Sequence, residues 1–223
     1  MNKLTYRRTT ISALLAVLVA GSALLAGCDN TPSTIKIGVA QPLSGNLAAL
    51  GQDLLNGAKM AAAEINKEGF KIKGKPVTIE IVAMDDRSDP AAGVEVAKQM
   101  VEAGVVAVIG NLNSGVSIPA APVYGAANIA QLAISTNPKF TQLGLATTFR
   151  LVANDNLQAK AIGSFAANQL NASKFAVLDD STTYGKGLAQ GAITELKKAN
   201  KEIVVTFSSD DKSTAFDDVA AKI

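Results

Sequence analysis

"VVAVIGNLNSGVSIPA", residues 105–120, decides how the rest of the chain is read. Its first six residues form a near-continuous apolar run, which suits a strand covered on both faces of a parallel sheet. Residues 111–115 then bring in amides, a hydroxyl and a glycine where a strand should hand over to a helix. Pro119 has no N–H and suits a first helical turn, so the helix is predicted to begin between Gly115 and Ser117 with Ser114 just ahead of it. The amide hydrogens and positive dipole end of such a helix would face the crevice beyond the strand ends, where a carboxylate is the natural guest. On the residues alone, a capping role for Ser114 and Ser117 is favoured over a ligand-binding one. Neither the P-loop pattern nor G-x-G-x-x-G is present, which disfavours a phosphate cradle.

Outward from this stretch the chain alternates between two periods. Residues 35–40, 77–84, 129–134, 147–152, 174–180 and 202–207 read as further strands. Between them, helical stripes run through Leu54, Ala58, Ala61 and Ile65, through Val94, Ala97 and Val101, and through Leu188, Ala192 and Leu196. Asp89 is placed to cap the second of these helices, Pro90 to open it and Gly104 to close it. "FKIKGKPVT", residues 70–78, reads as a small hairpin outside the alternation. Strand and helix in regular succession predict an α/β, doubly wound parallel-sheet architecture.

Composition bounds the function. The 223 residues are 48% hydrophobic and 18% charged, enough apolar material for a substantial core. Lys and Arg total 21 against 19 acids, but Lys3, Arg7 and Arg8 lie in the first 27 residues, which hold no acid; the remainder is near neutral, with no basic field for nucleic acid. The chain has no His and one Cys, which removes most zinc sites, catalytic triads and Cys/His nucleophile pairs. No G-x-S-x-G elbow occurs, so neither a catalytic residue nor a cofactor is expected. Asp85, Asp86 and Asp89 ahead of a proline-opened helix read as caps and turn formers rather than metal ligands.

The amino terminus carries a separate signal. Three cations precede the apolar residues 11–25, and "LAGC", residues 25–28, ends the run. Residues 1–27 are therefore expected to be a lipoprotein signal peptide, Cys28 the lipidated residue and residues 28–34 a tether at a membrane surface. The expected location is the periplasm or the outer face of the cytoplasmic membrane.

A second polar turn, "ISTNPKFT" at residues 134–141, ends the following strand and brings hydroxyl, amide and carbonyl groups to the same sheet edge. Two such edges side by side suit the two ends of a zwitterion. "IKIGVAQPLSGNLAALGQDLLNGAKMAAAEIN", "DDRSDPAAGVEVAKQMV", "VVAVIGNLNSG", "STNPKFT", "RLVANDNLQA" and "DDSTTYGKGLA", in this order, resemble the periplasmic leucine/isoleucine/valine-binding protein family, the substrate-binding components of branched-chain amino acid ABC transporters. The similarity runs from about Ile35 to the last residue.

The resemblance implies two hinged α/β lobes of the type I periplasmic binding fold that close on a free amino acid and present it to ABC permease subunits. It places the N-terminal lobe at residues 35–152 and a partial second lobe at 153–223, about half of what the family's second lobe needs. Matched residue by residue, Ser114 takes the place of the serine that binds the ligand carboxylate, and Leu112 that of a pocket neighbour. Thr136 matches the threonine at the amino and carboxylate groups, Ser135 the position beside it, and Tyr184 the aromatic laid over the ligand. Ala48 and Leu50 fall in a further wall of the pocket. The family's acidic residue for the ligand ammonium has no counterpart in this sequence. Asp155 and Gln158 read as the start of the second lobe's first helix.

Overall fold

The computed structural model describes residues 31–210 and 213–223. The signal peptide and the first three residues of the tether, Cys28 included, lie outside the described residues, and no helix among those described is long and apolar enough to cross a membrane.

The first unit is built from β1 (Thr34–Gln41), α1 (Ala48–Glu68), a hairpin of β2 (Lys71–Ile72) and β3 (Lys75–Pro76), β4 (Thr78–Asp85), α2 (Pro90–Glu102), β5 (Ala107–Gly110), α3 (Ser114–Ala126), β6 (Ala130–Ala133), a 3₁₀ turn (Pro138–Gln142) and β7 (Thr148–Arg150). Its five long strands pair in parallel in the order β4-β1-β5-β6-β7. The chain winds to one side of β1 and then to the other, so the sheet reverses direction between β1 and β5. Such a switch point opens a crevice beyond the carboxyl ends of the two strands.

Side chains alternate across the sheet. On one face Val39, Ile81 and Ile109 meet Leu55 and Ala58 of α1. On the other, Ala40 and Val108 join Val96, Ala97 and Met100 of α2 and Ala120 and Tyr124 of α3 in the larger core. The capping residues act as expected: Asp89 Oδ1 accepts from the Ala92 amide at 2.7 Å, Pro90 opens α2, and Gly104 follows its end at φ 72°.

Two expectations are corrected. The buried stripe of α1 is Gly51, Leu55, Ala58 and Ala62, one residue away from Leu54, Ala61 and Ile65. The phase is set by Gly51, where an added Cβ would lie 2.0 Å from the Pro42 carbonyl oxygen, so only glycine allows the helix to approach β1 on that side. The second correction concerns α3, which begins at Ser114 and contains both Pro119 and Pro122. Each proline deprives the helix of a donor at a cost of about 3 kcal/mol. Ala120, Ala121 and Tyr124 of the same helix are wholly enclosed, and that packing overrides the local rule.

After β7 the chain crosses at residues 151–154 into a second, smaller unit: α4 (Asp155–Gln169), β8 (Lys174–Asp179), α5 (Thr183–Lys198), β9 (Glu202–Ser208) and the short α6 (Asp217–Ala220). β8 and β9 pair in parallel, and α4 packs against α5. Leu157, Phe165, Leu178 and Val204 of this unit are exposed. The bare apolar faces agree with the expectation of a second lobe that is only part-built.

Glycine substitutions test this packing. A methyl at Gly110 would sit 2.2 Å from the Ala40 carbonyl oxygen, whereas one at Gly57 meets nothing within 4 Å. Gly110→Ala is expected to destabilise by about 1–3 kcal/mol and Gly57→Ala to stabilise by about 0.5–1 kcal/mol, both read from urea unfolding midpoints.

Candidate functional site

Apolar strands seldom hold polar side chains, yet β1 ends on Gln41, β6 contains Gln131 and β5 runs into Asn111, all fully buried. The three converge at the carboxyl end of the sheet. Asn111 Nδ2 donates to Asp86 Oδ2 at 2.8 Å, and Gln131 Nε2 donates to Asn111 Oδ1 at 3.1 Å. Gln41 Nε2 reaches the Ile109 carbonyl at 3.4 Å, while the Gln41 carbonyl accepts from the Asp86 amide at 3.0 Å. Ser117 Oγ and Ser135 Oγ lie within hydrogen-bond reach of each other and of the Asn111 carbonyl, at 3.2 and 3.1 Å from it, so one hydroxyl donates to that carbonyl and the other donates either to it or to its partner. A buried network of this kind stabilises only when its members are satisfied.

The acidic residues of the 85–89 loop are drawn into the same scaffold. Burial pushes the Asp85 carboxyl up, but bonds from the Ser44 hydroxyl and the Arg87 and Leu43 amides outweigh it and hold the group below its usual range. For Asp86 burial wins over the bonds from Asn111 and Ser88, and its carboxyl is raised. No cluster of potential metal ligands occurs among the described residues.

This scaffold sets the α3 start and the 135–137 turn side by side. Ser114 is the first residue of α3 and 2% exposed; its Oγ accepts from the Asn137 amide at 3.2 Å. Neither Ser114 nor Ser117 caps the helix, because the N-cap is Asn113 and Ser117 faces inward. The first amides of a helix have no intrahelical acceptor, so the Ser114 and Gly115 N–H groups sit at the positive end of α3. Thr136 and Leu112 are half-buried beside them. Arg150 Nη1 clamps the turn from β7, donating to the Ser135 carbonyl at 3.2 Å and the Asn137 carbonyl at 2.9 Å.

The second unit closes over this edge. Asn137 Nδ2 donates to the Thr183 carbonyl at 3.0 Å, and a methyl on Gly115 would lie 3.3 Å from Thr183 Oγ1. Tyr184, the next residue of α5, is 37% exposed and accepts from Gln158 Nε2 of α4 at 3.3 Å. The contact between α5 and this edge is thus made by Thr183, the residue before Tyr184, while Ser114 is bonded to the turn that holds Thr136. The Ser135 hydroxyl is buried in the Asn111 network. Ala48 opens α1 half-buried, and Leu50 is 55% exposed on its first turn. A surface concavity of about 580 Å³ lies elsewhere, lined by Thr141, Phe149, Arg150 and Leu157 among others, and none of these sequence-named residues lines it.

Sequence reading passed over Asn111, Gln131, Gln41 and Arg150. The signal was a polar residue inside an otherwise apolar strand, as in "IAQLAI" and "TTFRLV". Asn111→Ala removes partners from Asp86 and Gln131 together and is expected to cost about 1–3 kcal/mol for each buried group left unpaired, seen as a lower denaturation midpoint with unchanged slope.

A family model described as periplasmic binding protein matches residues 34–223. The chain is 38% identical over 182 residues to the Leu/Ile/Val-binding protein homolog 2 of Brucella abortus, covering 81% of this chain and 47% of the relative. The branched-chain amino acid transporter substrate-binding protein LivJ of Streptococcus pneumoniae, solved with isoleucine, superposes with a TM-score of 0.73 at 30% identity, over 85% of this chain and 53% of that one. A solute-binding protein of an ABC transporter from Rhodopseudomonas palustris, solved with 3,4-dihydroxybenzoic acid, shares the fold with a TM-score of 0.73 at 20% identity, over 86% of this chain and 51% of that one. The chain spans about half the length of the relatives it matches. With its switch-point crevice and a second α/β unit across it, the chain belongs to the periplasmic binding protein family and groups there with the Leu/Ile/Val-binding proteins.

Proposed function

We propose that this chain belongs to a lipid-anchored, extracytoplasmic solute-binding protein that captures a free amino acid between two hinged lobes and delivers it to an ABC permease, with no chemistry of its own. A branched-chain side chain is the preferred cargo. The observation that carries the reading is the amino end of α3: Ser114, at its first turn, is bonded to the 135–137 turn, which in turn meets Thr183 of α5. A helix start with a serine hydroxyl suits a carboxylate, and a hydroxyl and carbonyls one residue away suit an ammonium.

Ser114 is 2% exposed, so entry requires the units to separate. The Asn137–Thr183 bond is one link that breaks on opening. A ligand touching both sides then favours the closed state by its differential affinity. The dihydroxybenzoate-bound neighbour supports a second reading, a small carboxylate without an ammonium, because the α3 start recognises the carboxylate that both ligand types share.

Calorimetric titration of the intact protein against leucine, isoleucine, valine, phenylalanine and 4-hydroxybenzoate separates these. Heat with the aliphatic amino acids is the expected result; heat with the benzoate alone favours the second reading, and turnover of any ester or amide defeats a binding-only role. Ser114→Ala is expected to weaken amino acid binding by about 1–3 kcal/mol; unchanged affinity would leave Ser114 only its bond to Asn137.

Anchoring is tested in cells. Cys28→Ala is expected to move the protein from the membrane fraction to the soluble one and to abolish incorporation of labelled fatty acid, since the acyl chains supply the membrane affinity. Continued membrane association without label would point to the apolar residues 11–25 as a retained anchor.

A further inference from the structure

We propose that the lysine-bearing hairpin β2–β3 is a lipid-contacting surface that seats the first unit on anionic headgroups of the bilayer; the inference rests on the lipid anchor proposed above. β1 begins at Thr34, and the Thr78 amide at the start of β4 donates to the Ser33 carbonyl at 2.9 Å. The hairpin joins α1 to β4 and closes immediately before that bond, with the Val77 amide on the Phe70 carbonyl at 2.9 Å. The chain leading from Cys28 therefore enters the fold beside the hairpin. Ser33 follows Cys28 by five residues, a span of at most about 18 Å. An acylated Cys28 thus holds this end of the sheet within about two screening lengths of the headgroups, at about 8–10 Å each.

Charge at this end is one-sided, although the chain beyond its first 27 residues is near neutral. Lys67 stands in the last turn of α1, Lys71, Lys73 and Lys75 surround the hairpin turn, and all four are exposed. Lys36 on β1 adds a fifth cation, its ammonium on the Ala103 carbonyl at 3.2 Å. Against them stand Glu68 and Glu102, the last residues of α1 and α2. Glu64 lies one turn further back in α1 and Glu80 two residues along β4, while Asp29 is the tether's one acid. Phe70, 39% exposed, adds an aromatic ring at the base of the hairpin. Clustered lysines with an exposed ring beside an acyl anchor suit an anionic bilayer, where each cation near the surface adds to the attraction.

The hairpin is fixed to the body of the unit. Asn66 Nδ2 donates to the Ile79 carbonyl at 2.9 Å and its Oδ1 accepts from the Ile79 amide at 2.7 Å, so the end of α1 and the start of β4 form one piece around it. Lys73 and Gly74, both at positive φ, make the turn at its tip. The strands of the sheet run parallel, so their carboxyl ends, with Ser114 and Thr136 just beyond, lie at the opposite end. β1 has eight residues, about 26 Å of strand. A unit seated on the hairpin keeps the crevice turned away from the lipid and open to solvent.

Lysine footprinting tests this on the intact lipidated protein, reconstituted into vesicles of phosphatidylcholine alone or of equimolar phosphatidylcholine and phosphatidylglycerol. Acetylation of each lysine by a membrane-impermeant reagent is followed by mass spectrometry. Lys67, Lys71, Lys73 and Lys75 are expected to react about 3- to 10-fold more slowly on the anionic vesicles, with Lys197 and Lys198 of the second unit unchanged. At about 1 M salt, where the screening length falls to about 3 Å, that difference is expected to vanish. The double variant Lys71→Glu/Lys73→Glu, which reverses charge at exposed positions, is expected to bring Lys67 and Lys75 to equal rates on the two vesicles. Equal rates for the wild-type hairpin on both vesicles, or slowing that includes Lys197 and Lys198, overturns the lipid surface and leaves the anchor standing. Protein that carries no acyl chain and associates with neither vesicle overturns the anchor and this inference with it.

Discussion

The side chain and carbonyl of Asn111 hold the carboxyl edge of the sheet together. This one enclosed residue takes a donor from Gln131 on β6, gives one to Asp86 after β4, and receives the hydroxyls of Ser117 on α3 and Ser135 after β6. Three parts of the chain, at Asp86, at Ser117 and at Gln131 to Ser135, are tied together by this one residue in a low-dielectric setting, where satisfied bonds are strong and orphaned ones are costly. Gly110, immediately before it, admits the approach because a side chain there would strike the Ala40 carbonyl. The positions of Ser114 and Thr136 follow from this arrangement together with the buried Ser117–Ser135 bond, which ties α3 directly to the 135–137 turn.

The gap itself is assembled from small contacts. Gly115 of α3 and Gly187 of α5 stand at the meeting of the two units, and a methyl at Gly187 would come within 2.8 Å of Asn137 Nδ2. The Asn137–Thr183 bond is partly exposed, unlike the enclosed bonds around Asn111. Exposed hydrogen bonds contribute little net stability, so separation of the units disturbs far less than rearrangement of the sheet edge would. A rigid half-site facing a lightly held partner suits a protein whose work is to open and close.

Much of the fold was legible from period and punctuation. Short apolar runs, several of them nearly continuous in Val, Ile and Ala, located the strands, and Asp89, Pro90 and Gly104 marked the ends of α2. The phase of α1 was not legible, because "LLNGAKMAAA" offers apolar residues on neighbouring faces and a 3.6-residue period cannot choose between Leu54 and Leu55. Contact between Gly51 and Pro42 makes that choice. The start of α3 was misplaced for a related reason: the local penalty of Pro119 and Pro122 is real, but the burial of Ala120, Ala121 and Tyr124 exceeds it.

Sequence alone determined the α/β alternation, the membership of a family of binding proteins and the short list of polar loops at the strand ends, because these depend on spacing along the chain. Tertiary structure decided what the polar side chains of those loops bond to. It turned Ser135 inward to Ser117, placed Ser114 on Asn137 and left the Asp155 carboxylate enclosed and unpaired. Whether a hydroxyl or carboxylate meets a ligand or a neighbouring strand depends on hydrogen-bond partners 18 to 25 residues away, as the Ser117–Ser135, Ser114–Asn137 and Asn111–Asp86 pairs show. No local pattern encodes such a partner; only the packed sheet brings it within reach.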